Sequence, residues 1–197
     1  SLLTICIGLA GVVTANRYSV IGATRVLTQV FSYEAPFLLA LLGPAMVTGS
    51  WAIQDINAFV STNTWLVVLQ PLGFIVAMIG LMGKLELPPF DAPEAETEIV
   101  AGALTEYSGR GLALFKLGKS VELIVGLTLV AVFFLGGINN PLDFLLKTVS
   151  LLLVMAGFSA VMTRFRIDQV VNWWRYGALI GLGQMLIVIA WQLWKGL

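Results

Sequence analysis

Long apolar runs separated by short charged connections organise this sequence. Windows of roughly 20 apolar residues, enough to cross a hydrocarbon core of about 30 Å at about 1.5 Å per residue, fall near residues 34–53, 64–83, 112–136, 144–163 and 176–194. A sixth, 1–15, is shorter and reads as clipped, and the start of the chain reads as missing. An open sheet cannot satisfy its backbone in lipid, and the alternating pattern of a barrel is absent. The expectation is an all-α polytopic membrane protein forming a single membrane domain over residues 1–197, with about six transmembrane helices. Gly43-Pro44 and Pro71 predict bends or close packing inside them.

The connections carry the remaining pattern. In the first, residues 16–33, Val20, Ile21, Val26, Leu27, Val30 and Phe31 alternate with Arg17, Arg25 and Gln29, which predicts an amphipathic helix along the interface. The third, residues 84–111, holds six of the eleven acidic residues: Glu86, Asp91, Glu94, Glu96, Glu98 and Glu106. A segment that long is a folded element or disordered. Its own signals favour folding, because Asp91 and Glu94 stand at capping-box spacing, Pro93 suits a first turn, and Glu94 and Glu98 share a helix face. Arg17, Arg25, Lys84, Arg110, Arg164, Arg166 and Arg175 lie in or beside the connections 16–33, 84–111 and 164–175, whereas 54–63 and 137–143 hold no basic residue. The positive-inside rule then makes those three connections cytoplasmic in a multi-pass protein of the cell membrane.

Composition narrows the chemistry. With 58% hydrophobic and 11% charged residues the chain lies outside the range of soluble domains, and a formal net charge of zero without a basic tract excludes a nucleic-acid partner. There is no histidine and one cysteine, Cys6, so the usual disulfide, zinc, haem and iron–sulfur ligand sets cannot be assembled within this chain alone. The chain carries no redox centre and no metal of its own on this reading.

Charges within the spans are the candidate functional groups. Lys116, Lys119 and Glu122, three residues apart, form one stripe with Glu122 expected near mid-depth. A charge there costs on the order of 2.5 to 3.5 kcal/mol on insertion scales. Lys119 and Glu122 are therefore either a self-neutralising pair or members of a titratable relay. Glu34, followed by Pro36, is either a first-turn carboxylate or part of an ion path. The stretch TRFRIDQVVNWWR places Arg164, Arg166 and Asp168 at an anchoring or docking surface, and Trp173, Trp174, Trp191 and Trp194 suit an interfacial belt. Asp143 and Lys147 read as a helix-start pair.

Three blocks, Ser32-Tyr33-Glu34 followed by Ala35-Pro36, the run PPFDAPEAETEIVAGALTEYSG and RFRIDQ, with FFLGG at 133–137 as lesser support, come in one order over most of the chain. Through them the sequence resembles the membrane subunit of respiratory complex I that forms the quinone chamber, and its homologues in membrane-bound nickel–iron (NiFe) hydrogenases. Quinone-type members usually have a histidine where this chain has Leu104, an acidic turn where it has Gly118-Lys119-Ser120, and an Asn-Arg pair where Leu87-Pro88 stand. The run GALTEYSGRGLALFK looks closer to the hydrogenase type. The resemblance implies an anchoring and ion-translocation subunit whose acidic loop docks a peripheral arm holding [NiFe] and iron–sulfur centres, beside antiporter-like membrane subunits, with proton or sodium pumping and no need of a quinone. It assigns the ion relay to Glu34, Glu94, Glu96, Glu98, Glu106, Lys119 and Glu122, and loop structure and docking to Asp91, Tyr107, Arg110, Arg164, Arg166 and Asp168. The alternatives are a quinone-binding subunit of an NADH-dehydrogenase-type complex, a sulfur-reducing relative, a stand-alone secondary transporter and a purely structural anchor.

Overall fold

The computed structural model describes residues 2–63, 70–94 and 99–196. Among them are seven α-helices: α1 Leu2–Val13, α2 Arg17–Thr48, α3 Ile53–Thr62, α4 Pro71–Lys84, α5 Gly109–Phe134, α6 Pro141–Val161 and α7 Ile167–Gly196. Four of these, α2, α5, α6 and α7, are long and apolar enough to cross a membrane, and α1 and α4 are shorter apolar helices. The six apolar windows thus each find a helix, and the all-helical polytopic architecture holds.

The interfacial helix expected over 16–33 is not a separate element. It runs unbroken into the following span as the 32-residue α2. Asn16 starts it by accepting the Tyr18 amide at 2.9 Å. Gly49, at φ 72°, ends it by donating to the Ala45 carbonyl. The reason is legible in the burial pattern: Ser19, Gly22, Val26, Gln29, Tyr33, Phe37, Ala40 and Gly43 form one inward stripe at helical spacing across the expected boundary. Pro36 and Pro44 lie inside the helix and each removes one backbone donor without ending it.

Most of the other elements pack on α2, whereas α6 packs chiefly on α5. Tyr33 meets Trp174 of α7 edge-on with ring centroids 6.1 Å apart, and Gln192 donates to the Met46 carbonyl at 2.6 Å, so α7 runs parallel to α2. Contacts of Gly80 with Phe37 and of Gly43 with Gln70 make α4 antiparallel to α2. Likewise Gly126 on Leu81 and Gly73 on Phe134 make α5 antiparallel to α4. Val30, Tyr33, Phe37, Leu81, Val130 and Trp174 belong to the main core, and a second cluster of Ile7, Ala23, Val26, Ala103 and Leu104 joins α1, α2 and the acidic loop. Trp174, expected in an interfacial belt, is instead buried, while Trp173 is exposed.

The connections gather at two ends of opposite character. At one, the turn before α2, the loop after α4 and the segment before α7 carry the charges. At the other, Asn57 of α3, a helix the sequence reading missed, donates to the Ile138 carbonyl at 3.2 Å and accepts the Ile138 amide at 2.6 Å. There Lys147 also pairs with Asp143 at 2.8 Å, as its spacing predicted. Asn57→Ala removes both ties and leaves part-buried backbone groups without a partner. A loss of about 1–3 kcal/mol is expected, read as a lowered unfolding temperature in detergent.

Candidate functional site

The site starts with the way α4 ends. The Glu86 amide donates to the Gly83 carbonyl at 3.3 Å and the Leu87 amide to the Met82 carbonyl at 3.1 Å, the two bonds of a Schellman motif. Glu86 holds the left-handed position of that motif at φ 55°, where glycine is usual. A non-glycine residue there costs on the order of 1–2 kcal/mol. The turn aims a carboxylate inward, for Glu86 is only 4% exposed.

Lys119 of α5 meets it. Its ammonium lies 2.6 Å from Glu86 Oε2 and also pairs with Glu94. One helical turn further, Glu122 pairs with Lys84, the last residue of α4, at 3.1 Å. The Lys84 ammonium also stands 5.8 Å from the centre of the Phe37 ring. Of the two readings of this stripe, the self-neutralising Lys119–Glu122 pair does not form. Both groups are satisfied across the helix interface, because the end of α4 presents an ammonium and a carboxylate two residues apart to the same stripe. Burial pushes the Glu86 carboxyl above the usual carboxylate range, and Lys119 pulls against that shift.

The loop is sewn down on every side. Gln29, buried within α2, donates to the Gly83 and Phe90 carbonyls, both at 2.8 Å, and Ser19 donates to the Ala103 carbonyl at 2.7 Å. Arg164 grips Asp91 with two parallel bonds, Nε to Oδ1 at 2.8 Å and Nη2 to Oδ2 at 2.7 Å. Asp91 was expected to cap a helix with its side chain. That carboxylate is taken by Arg164, and only the Asp91 carbonyl serves the short 3-10 turn Ala92–Glu94, accepting the Glu94 amide at 3.2 Å. The proposed helix face of Glu94 and Glu98 cannot be followed, since Glu96 and Glu98 lie outside the described residues.

Other expected residues separate. Glu106 accepts from Asn16 at the turn before α2, away from Lys119, and Tyr107 donates to the Ala10 carbonyl at 3.2 Å while packing edge-on against Phe115. Both fasten the loop. Arg110 is exposed and makes no hydrogen bond or ion pair among the described residues. Glu34 is half-buried on α2, beside Tyr33. Arg166 and Asp168 line a different cleft, together with Arg25 and Arg164.

Between α5, the loop and Arg164 lies a cavity of about 440 Å³. Glu86, Asp91, Glu94, Lys119, Ser120 and Arg164 give it polar walls, and Leu85, Leu87, Pro88 and Leu123 apolar ones. Its depth follows from α6, whose 21 residues span about 31 Å, one hydrocarbon thickness. Ser159, two residues before the end of α6, donates to the Pro88 carbonyl at 2.9 Å. The cavity is therefore level with the last turn of α6, at the charged end. Glu122, expected near mid-depth, stands near the middle of α5, about 18 Å along the helix from Phe134 and about 20 Å from Gly109. Lys84, Glu86 and Gln29 were read from the sequence as members of the connections and not as site residues. The one signal for Glu86 was a carboxylate where a helix C-terminus calls for glycine.

Known proteins resemble the chain along most of its length. The sequence profile of a family described as NADH dehydrogenase matches residues 1–189. The chain is 35% identical over 197 residues to an NADH-quinone oxidoreductase subunit of Carboxydothermus hydrogenoformans, covering 95% of this chain and 56% of that protein. It is 38% identical over 198 residues to an F(420)H(2) dehydrogenase subunit of Methanosarcina mazei, covering 92% and 55%. In fold it is similar to a chain in the structure of the membrane-bound sulfane sulfur reductase, an archaeal respiratory membrane complex, with a TM-score of 0.82 at 24% identity over 92% of this chain and 64% of that one. The chain spans about half the length of the curated relatives it matches.

Proposed function

This chain belongs to the NADH dehydrogenase family, and from that premise we propose that it is the membrane subunit through which a complex I-like oxidoreductase passes electrons to a quinone and couples that step to ion movement. The observation that carries the reading is the cavity of about 440 Å³ at the charged end of the spans, walled by apolar residues on one side and by Glu86, Lys119 and Ser120 on the other. Such a space suits an amphiphile whose polar head needs hydrogen bonds and whose body needs apolar contact. Reduction of a quinone to a quinol takes up two protons, and a charge change in the cavity acts first on the ammonium shared by Glu86 and Glu94. Lys84 and Glu122, one turn away, are the next coupled pair.

The hydrogenase-type reading rested in part on Leu104 standing where quinone-type relatives carry a histidine. Leu104 packs with Ile7, Ala23 and Val26 and does not line the cavity. Its identity therefore says little about a head group bound there, whereas the similarity to a quinone oxidoreductase subunit favours the quinone branch. A peripheral arm docked on the loop and ion-conducting membrane partners remain part of the proposal.

The test is turnover of the whole purified complex with a water-soluble quinone, alongside metal analysis. Quinone-dependent turnover supports the reading. Nickel with hydrogen-linked activity and no response to quinone returns the chain to the hydrogenase branch. In the same complex, Glu122→Gln is expected to leave assembly intact and abolish pumping coupled to turnover, measured as a gradient in liposomes. Unchanged pumping removes Glu122 from the path.

A further inference from the structure

A second cleft, of about 350 Å³, lies on the α7 side of the loop and shares Arg164 with the cavity. Three guanidinium groups, Arg25, Arg164 and Arg166, line it together with Phe165, Ile167 and one carboxylate, Asp168. Asp91 holds Arg164 by two bonds, and the Ala92 carbonyl accepts from Arg25 at 3.3 Å, so two of the three guanidiniums are fixed in place. Planar, oriented guanidinium groups are the usual partners of phosphate oxygens. The Phe165 amide donates to the Pro89 carbonyl at 3.0 Å, next to the Pro88 carbonyl that marks the end of α6. The cleft thus sits at the boundary between hydrocarbon and water on the charged side of the protein.

Below it the surface changes character. Phe90, buried behind the surface, meets Phe165 edge-on at 5.8 Å and Trp173 at 6.4 Å, so one aromatic cluster backs both the cleft and Trp173. Trp173 then lines a wholly apolar groove with Leu72, Ile75, Ile79 and Ile180, between α4 and α7. From Leu72 to Ile79 this groove runs about 10 Å along α4. Trp173 and Tyr176, 41% and 65% exposed, stand at the level where aromatic rings meet head groups.

We propose that the cleft of Arg25, Arg164 and Arg166 and the groove below Trp173 together bind one anionic glycerophospholipid of the leaflet on the charged side, phosphate in the cleft and an acyl chain in the groove. A soluble anion would use the cleft alone, and an uncharged lipid the groove alone; the two stacked on one face fit a molecule with both parts. Basic pockets between membrane helices on that side are the usual setting for such lipids.

The test uses the intact complex, detergent-extracted and exchanged into phosphatidylglycerol or phosphatidylcholine, with bound lipid counted by native mass spectrometry. One phosphatidylglycerol is retained where phosphatidylcholine is not, and Arg166→Gln lowers its retention about fivefold. Ile75→Trp, at a half-exposed position that fills the groove, lowers it as well. Independently of any variant, phosphatidylglycerol brominated on its acyl chains quenches tryptophan emission more than the brominated phosphatidylcholine does. Equal retention of the two lipids, an unchanged count in Arg166→Gln, or binding seen only after the peripheral subunits are stripped away overturns the proposal; in the last case the cleft is a protein contact.

Discussion

Replacing Lys119 by methionine is expected to strand the Glu86 carboxylate inside the protein and to destabilise the complex by on the order of 3–5 kcal/mol, the usual consequence of removing one partner of a buried pair. Methionine keeps most of the volume and removes the charge. Without the ammonium, burial and then the neighbouring Glu94 and Glu122 carboxylates all act on Glu86 in one direction, and its carboxyl rises further above the usual range. An acid raised in the folded state contributes most stability at pH values below its unfolded value and loses that contribution as pH climbs through the folded one. The difference in unfolding temperature between variant and parent should therefore widen as pH rises and narrow in acid, where Glu86 carries its proton. Adding Glu86→Gln to Lys119→Met should recover much of the loss, because the amide needs no counter-charge. The coupling so measured is expected at about 1–3 kcal/mol for groups in direct contact. Equal losses at every pH, or strict additivity of the two substitutions, would mean that the pair is not buried together.

Gly22→Ala should detach the acidic loop from α2. A methyl on Gly22 would stand 2.4 Å from the Ala103 amide nitrogen and 2.5 Å from the Gly102 carbonyl carbon, both backbone atoms. Gly102 cannot easily yield, since it sits at φ 59° and its own Cα faces the Pro93 carbonyl, where an added Cβ would come within 2.1 Å. The loop must lift, and the Ser19 bond to the Ala103 carbonyl goes with it. Overpacking of this kind costs about 1–3 kcal/mol in a helix core and more against backbone. Faster hydrogen exchange at residues 102–107 and faster tryptic cleavage after Arg110 are the expected readouts. Gly157→Ala, where nothing lies within 4 Å, should change neither. A Gly22→Ala protein with parental exchange rates would show that the loop is not seated on α2.

The apolar windows were legible because lipid leaves the backbone so few ways to be satisfied. The two-ended charge pattern was legible too, and the structure gathers the connections accordingly. What the sequence withheld was what stands opposite each side chain. Lys119 and Glu122 share a face by spacing alone, but their partners come from the end of α4, and nothing in a one-dimensional pattern brings Lys84 and Glu86 to that stripe. Gln29 looked like the polar side of a surface helix, yet it is 1% exposed and bonds two carbonyls of the site. Trp174 belonged by type to the interface and by position to the core. Asp91 had the spacing of a cap, and a guanidinium 73 positions further on took its side chain instead.

In the proposed function, coupling between the cavity and ion movement depends on Glu86 and Lys119. The direct test is the number of ions moved per quinone reduced by the whole complex in sealed liposomes, for the parent and for Glu86→Gln. With the coupling as proposed, the variant still assembles and still reduces quinone, while the ratio falls toward zero. A ratio equal to the parent's would contradict it.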